Sequence, residues 1–229
     1  MILFLDIETL PCADPAFIAE VESTITAPAQ YKKHESIDKW MEENKEQAVK
    51  DEVAKTSFNG MLGSIACICY SFDYGEIYSV DVNTSGSENV MIQHFYAHVF
   101  ARSTTPYNGG LATTPIVVCG HNVAGFDLPF LKARSIILGA KPIDQILDAM
   151  NAKPWESKLI ADTMLMWNSS TQNRASMNKL CKALGIPDKG DFDGSMVAET
   201  WPVDPQKVID YCKDDVIRTR EIYKRITFS

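Results

Sequence analysis

The sequence predicts an α/β protein built on a mixed β-sheet, with antiparallel hairpin strands and parallel strands, flanked by α-helices. Three observations carry that expectation. The chain opens on an apolar run, "MILFLDIETL". A second stretch, "GSIACICYSFDYGEIYSVDV" (63–82), alternates apolar and small residues around a "DYGE" turn and reads as a hairpin able to join the first strand. Beyond it, helical periods alternate with short apolar runs, the pattern of strands connected through helices. With 229 residues and 45% hydrophobic content the chain can bury a sizeable core. No repeat, low-complexity tract or linker divides it, so residues 1–229 are expected to form a single domain.

The first strand carries its own anomaly. Asp6 and Glu8 stand at i and i+2, so they project from the same face. Burying an ionised carboxylate costs several kcal/mol unless it is paired. Either this face is wet, as on an edge strand, or a cation belongs there. Next, "YKKHESIDKWMEENKEQAVKDEVAK" (31–55) mixes helix formers with both signs of charge and predicts one or two exposed helices, a helical insertion at about 31–56. "ENVMIQHFYAHVFAR" sets Ile92, Phe95, Tyr96, Val99 and Phe100 at helical spacing, and the Gly- and Thr-rich stretch 103–115 reads as a loop. "PIVVCGHN" is a short buried strand running into a turn. Leu128 to Leu138 is helical with Gly139 as its stop, "KLIADTMLMW" reads as a further strand, and "SMNKLCKALGIP" as a short helix closed by Gly185 and Pro187. "PQKVIDYCKDDVIRTREIYKRI" is the clearest helix, about six turns long.

Composition narrows the function. The net charge of −8, from 22 Lys and Arg against 30 Asp and Glu, argues against a broad electrostatic grip on nucleic acid. An acidic protein that holds divalent metals can still keep a local basic rim, and Arg174, Lys179, Lys182 and Lys189 supply one, or else a solvated face. The opening apolar run is cut by Asp6 and lacks a basic leader, so it is expected to be neither a signal peptide nor a membrane span, and the protein is expected in the cytoplasm. Six cysteines (Cys12, Cys67, Cys69, Cys119, Cys181 and Cys212) include no CxxC pair, and neither metal nor disulfide is assigned to them.

Two later segments add acids. In "CGHNVAGFDLPFLKAR", Asp127 suits an N-cap with Pro129 in the first turn, yet His121, Asn122, Phe126 and Asp127 gather at a strand end, where open α/β sheets place ligands. In "DYCKDDVIRT", Tyr211 and Asp215 stand at i and i+4 on one helix face, whereas Asp214 points about 100° away. Taken alone, that pair is a solvated acidic patch.

Taken together, DxE on the opening strand, NxxxFD at a later strand end and YxxxD on the last helix resemble the DEDDy branch of the 3′–5′ exonuclease superfamily, whose fold is ribonuclease H-like. The flanking "GDFDGSMVAETW" and the polar helical stretch after the first motif look like the predicted exonucleases related to the proofreading domain of family B DNA polymerases. The resemblance spans Asp6 to Asp215. It implies metal ligands at Asp6, Glu8, Asp127 and Asp215 for two Mg²⁺ or Mn²⁺ ions about 3.5–4 Å apart, and Tyr211 as the residue that orients the attacking water. A phenol, with an unperturbed pKa of about 10, is a poor base. The sister branch places a histidine at the tyrosine position, and no histidine follows His121. The product would be a 5′-nucleoside monophosphate.

The resemblance also sets Thr9 and Leu10 beside the 3′-terminal nucleotide, Leu10 as a wedge against its base and Thr9 through its backbone amide. Phe126 would stack on a base and Asn122 bond the strand. Each has a plainer reading as core or turn. His121 reads as a turn-satisfied histidine, and Asp162 as a further carboxylate near the metals or a strand-end polar residue. DNA with single-stranded or mismatched 3′ ends is the expected partner. RNA is the alternative substrate, and a catalytically inactive, nuclease-shaped binding subunit of a polymerase is the rival from another class. Proofreading would require a separate DNA polymerase lacking its own exonuclease, because the 229 residues contain no polymerase segment.

Overall fold

In the computed structural model, which describes residues 1–168, 174–187 and 190–229, the opening apolar run forms β1 (Ile2–Leu10). Two helices follow, α1 (Pro15–Thr24), capped by the Asp14 carboxylate on Ala16 N, and α2 (His34–Ala54), then a 3-10 turn at Lys55–Phe58. α2 buries no residue and carries exposed i,i+4 pairs such as Lys50–Glu46, as its mixed charges predict. β2 (Ser64–Phe72) and β3 (Ile77–Asp81) form the expected hairpin. Asp81 then caps the four-residue α3 (Val82–Ser85), and Ser87 caps α4 (Glu88–Ser103). α4 buries Met91, Ile92, Phe95, Tyr96 and Val99, so Met91 joins the apolar stripe while Phe100 lies outside it, exposed.

The stretch 103–115 is not a loop throughout. β4 (Thr104–Tyr107) and β5 (Gly110–Thr113) pair antiparallel across Asn108-Gly109, both at positive φ (46° and 79°). Asn-Gly between strands is the signature of a two-residue hairpin turn. β6 (Val117–Gly120) leads to α5 (Asp127–Leu138), closed by Gly139, and to α6 (Asp144–Asn151). The strand expected over "KLIADTMLMW" is cut to β7 (Ile160–Asp162), because the Asp162 carboxylate accepts Met164 N and Leu165 N at 2.9 and 3.3 Å and starts α7 (Thr163–Asn168) at once. The chain ends in α8 (Met177–Leu184), the short α9 (Val197–Thr200) and α10 (Pro205–Thr227), whose cap is Asp204.

The main sheet has the order β3-β2-β1-β6-β7, antiparallel across β3-β2-β1 and parallel across β1-β6-β7. This is the ribonuclease H-like mixed sheet flanked by helices. β1 alternates between two cores. Leu3, Leu5 and Ile7 pack with Ile68, Tyr70, Phe95 and Leu131 on one side. Phe4 packs with Cys67, Cys69 and Cys119 beneath Val208, Cys212 and Val216 of α10 on the other. No helix among the described residues is long and apolar enough to cross a membrane.

Candidate active site

The site exists because β1 outlasts its parallel neighbour. Ile2, Leu3 and Phe4 register with Val117, Val118 and Cys119, after which β6 ends at Gly120. The turn that follows packs hard against β1: a Cβ on Gly120 would lie 2.6 Å from Val123 Cβ and 2.9 Å from Leu5 O, and Asn122 takes φ 65°. Asp162 braces this turn, accepting Asn122 N at 3.1 Å and Ala124 N at 3.0 Å. The first turn of α5 is thereby delivered to the unpaired edge of β1, where Ile7 N donates to Asp127 Oδ1 at 3.1 Å.

Asp127 is therefore not the N-cap. It is the first residue of α5, Phe126 is the cap residue, and the carboxylate reaches across to β1. On the other side of β1, α10 brings Cys212 Sγ to 3.2 Å from Asp6 Oδ2 and Asp215 within the field of Asp6. One carboxylate oxygen from each of Asp6 and Glu8 and Cys212 Sγ lie within 4.8 Å of one another. Glu8, Asp127 and Asp215 are buried, and Asp6 is half-buried.

Electrostatics register the crowding. Asp6 is raised well above the usual carboxylate range by burial and then by the charges of Asp215, Glu8 and Asp127, against a hydrogen bond from Cys212 that lowers it. Asp127 is raised to about 7, first by burial and, against two backbone N–H groups that lower it, by Asp162 and Asp215. Arg218 answers part of this charge, with Nη1 3.2 Å from Asp215 Oδ1 and Nη2 3.6 Å from the exposed Asp214. The donor set is carboxylate oxygen at high negative charge density, which fits hard divalent cations.

The remaining expected residues divide. Tyr211 lies half-buried one turn before Asp215, with its ring edge-on to Phe192 at 4.9 Å. At the far end of β1 a bulge leaves Ala66 without a partner between Glu8↔Cys67 and Thr9↔Ile65, and turns the strand end toward the 55–63 segment. There Thr9 Oγ1 donates to Ser57 O at 2.7 Å. Leu10 is half-buried, and Phe126 lies between Phe130 and the exposed Phe58 at ring distances of 5.6 and 6.3 Å. The Asn122 side chain lies over Gly125, closing the turn. His121 is turn-satisfied, bonded to Thr163 Oγ1 and Ala175 O at 2.9 and 3.1 Å. Asp162 spends its oxygens on backbone N–H groups and acts on Asp127 through its charge. Arg174, Lys179 and Lys182 are exposed, and Lys189 lies outside the described residues.

Sequence reasoning missed three residues here: Arg218, Phe192 and Cys212. Arg218 was visible as the i+3 partner of Asp215. The other two meet the site only through tertiary packing.

This fold and this acid cluster define a ribonuclease H-like protein with a carboxylate-lined site at the end of its central strand. Residues 61–229 match a family described as predicted 3′–5′ exonucleases related to the exonuclease domain of PolB, and the chain belongs to that family. The matched region includes Asp127, Tyr211 and Asp215 and begins after Asp6 and Glu8. Among solved structures, the family B DNA polymerase from the hyperthermophilic archaeon Pyrobaculum calidifontis is similar at a TM-score of 0.53 and 13% identity, over 98% of this chain and 24% of the polymerase chain. The chain thus spans about a quarter of that protein's length, and the likeness is one of fold. No curated protein matches the sequence.

Proposed function

We propose that this chain is a 3′–5′ exonuclease that releases 5′-nucleoside monophosphates from single-stranded or mismatched DNA ends. One observation carries the reading: Asp6, Glu8, Asp127 and Asp215, drawn from three distant segments, converge at one strand end, where burial and mutual repulsion hold Asp6 and Asp127 above the carboxylate range. Such a cluster opposes folding unless a cation offsets it. Asp6, Glu8, Asp127 and Asp215 would hold two Mg²⁺ or Mn²⁺ ions, and the all-oxygen donor set favours these hard cations. Ions bound there would supply Lewis-acid stabilisation of charge on the phosphoryl group and the departing oxygen.

The chain's own groups align the reaction. Tyr211, its ring held by Phe192, orients a water toward the terminal phosphorus. Water adds to that phosphorus, and its bond to the 3′ oxygen of the preceding nucleotide breaks. Thr9, Leu10, Asn122 and Phe126 flank the position of the last nucleotide, with the Phe126 ring available to an unpaired base. A protein at −8 cannot wrap duplex DNA, so affinity rests on the cations and a few stacked nucleotides.

A paired end must first be melted at about 1.4 kcal/mol per stacked step, so a matched primer should be degraded about ten- to a hundredfold more slowly than a mismatched one. The same preference would serve the ends left by a separate polymerase. The test is release of label from matched and 3′-mismatched primers, and from RNA, with Mg²⁺, Mn²⁺ or EDTA. Release in EDTA, release from the 5′ end, or equal rates on the two primers would overturn the proposal. Faster release from RNA would transfer it to an exoribonuclease.

A further inference from the structure

Behind the acid cluster lies a second group of metal-binding side chains. Cys67 and Cys69 stand at i and i+2 on β2, so both thiols face α10, and Cys212 of α10 descends between them. The three sulfur atoms lie within 4.8 Å of one another, and all three residues are fully buried. The group is contiguous with the site. Cys69 and Cys67 are the cross-strand neighbours of Asp6 and Glu8, and Cys212 Sγ is 3.2 Å from Asp6 Oδ2. All six cysteines are free thiols, although their spacing in the sequence suggests no cluster.

We propose that Cys67, Cys69 and Cys212 form a site for a thiophilic divalent cation of the Zn²⁺ and Cd²⁺ class, entered past Asp6 from the carboxylate cleft. Sulfur ligands at about 2.3 Å from zinc stand about 3.8–4.0 Å apart, so the observed separations need contract by less than about 1 Å. Soft sulfur selects such ions over Mg²⁺, Mn²⁺ or Ca²⁺, which keep to the oxygens. On binding, thiol protons are exchanged for the ion and pass to solvent. Cys212 then no longer donates to Asp6, and the Asp6 carboxylate is drawn back toward the sulfurs as a fourth ligand. The site therefore inhibits the hydrolysis proposed above. That consequence rests on the nuclease reading, whereas the binding does not.

The experiment titrates the reduced, EDTA-stripped full chain with Cd²⁺ under excess Mg²⁺ and without oxygen, following thiolate-to-metal charge-transfer absorption in the ultraviolet. One equivalent should saturate the band, and Zn²⁺ in excess should compete it down. Cys69→Ala should lower the amplitude by about a third and weaken binding by at least about tenfold. Cys12→Ser and Cys119→Ala should leave the band unchanged. Asp6→Asn should keep the sulfur band while abolishing hydrolysis, which separates failure of this site from failure of the nuclease reading. If the wild-type chain gives no band at tenfold excess Cd²⁺, or if Cys119→Ala rather than Cys69→Ala lowers its amplitude, the proposal falls.

Discussion

The two faces of β1 differ in composition and in purpose. Leu3, Leu5 and Ile7 enter a core of aliphatic and aromatic side chains under α4 and α5, where each buried methylene adds stability. The opposite face begins with Phe4 and then spends its next two positions on Asp6 and Glu8, over a floor of cysteines. One nine-residue strand thus anchors the fold on one side and gives up stability on the other. Like charges can crowd one face of a strand when the residues alternating with them, Leu5 and Ile7, are buried in an apolar core on the other.

Substitutions on the acidic face should have the largest effect. Asp6→Ala, Asp127→Ala and Asp215→Ala should each leave no detectable release of nucleotide in a 3′-end assay while far-ultraviolet circular dichroism is retained, because each removes a carboxylate rather than core volume. Tyr211→Phe should retain activity at about 10²-fold below the wild type, as for loss of an orienting group. Full activity in that variant would exclude the hydroxyl from the reaction.

Leu5→Ala attacks the other face. It should cost about 2–5 kcal/mol in urea unfolding while leaving turnover per folded molecule near the wild-type value. If turnover collapsed along with stability, the two faces would not be separable.

The acidic face also makes stability depend on pH. Asp6 and Asp127 are raised in the folded state, so the fold binds their protons more tightly than the unfolded chain does. Their contribution to stability is present at low pH and is lost as pH rises through about 7, the Asp127 value. The melting temperature of EDTA-treated protein should accordingly fall between about pH 5 and pH 8, and Mg²⁺, which needs the ionised acids, should flatten that slope. A flat profile without metal would mean that the acids are solvated. The smallest effect is expected at Asp214, which is exposed beside Arg218: Asp214→Ala should change stability by no more than about 0.5 kcal/mol and leave hydrolysis intact.

The elements legible in the sequence were those with strong periods. The β2–β3 hairpin, α4, α5 and α10 follow from alternation, helical spacing and Gly or Pro punctuation. Short elements were harder: β4 and β5 were marked by Asn108-Gly109, a local turn signal outweighed by the polar composition around it. β7 shrank because Asp162 caps a helix where apolar residues suggested more strand. For the site, the acids could be listed in order along the chain, but the reach of Asp127 to Ile7 N depends on the β1–β6 pairing stopping at Phe4↔Cys119, three residues short of Ile7, a matter of register. The cysteine group was invisible for the same reason, since residues 67, 69 and 212 become neighbours only when α10 docks on the sheet.

That docking also sets a schedule. Asp6 leaves the ribosome early, whereas the residue that touches its carboxylate, Cys212, is synthesised 206 positions later. Until α10 emerges, the nascent chain has the hairpin and three of the four acids, Asp6, Glu8 and Asp127, but lacks Asp215, Tyr211 and the Cys212 side of the floor beneath Asp6. The Asp6 contact with Cys212 can form only once α10 has been made, by which time every residue of the apolar face of β1 is already in the chain. A half-made chain is thus chemically incomplete, and it acquires its full set of acids only when it is able to hold them.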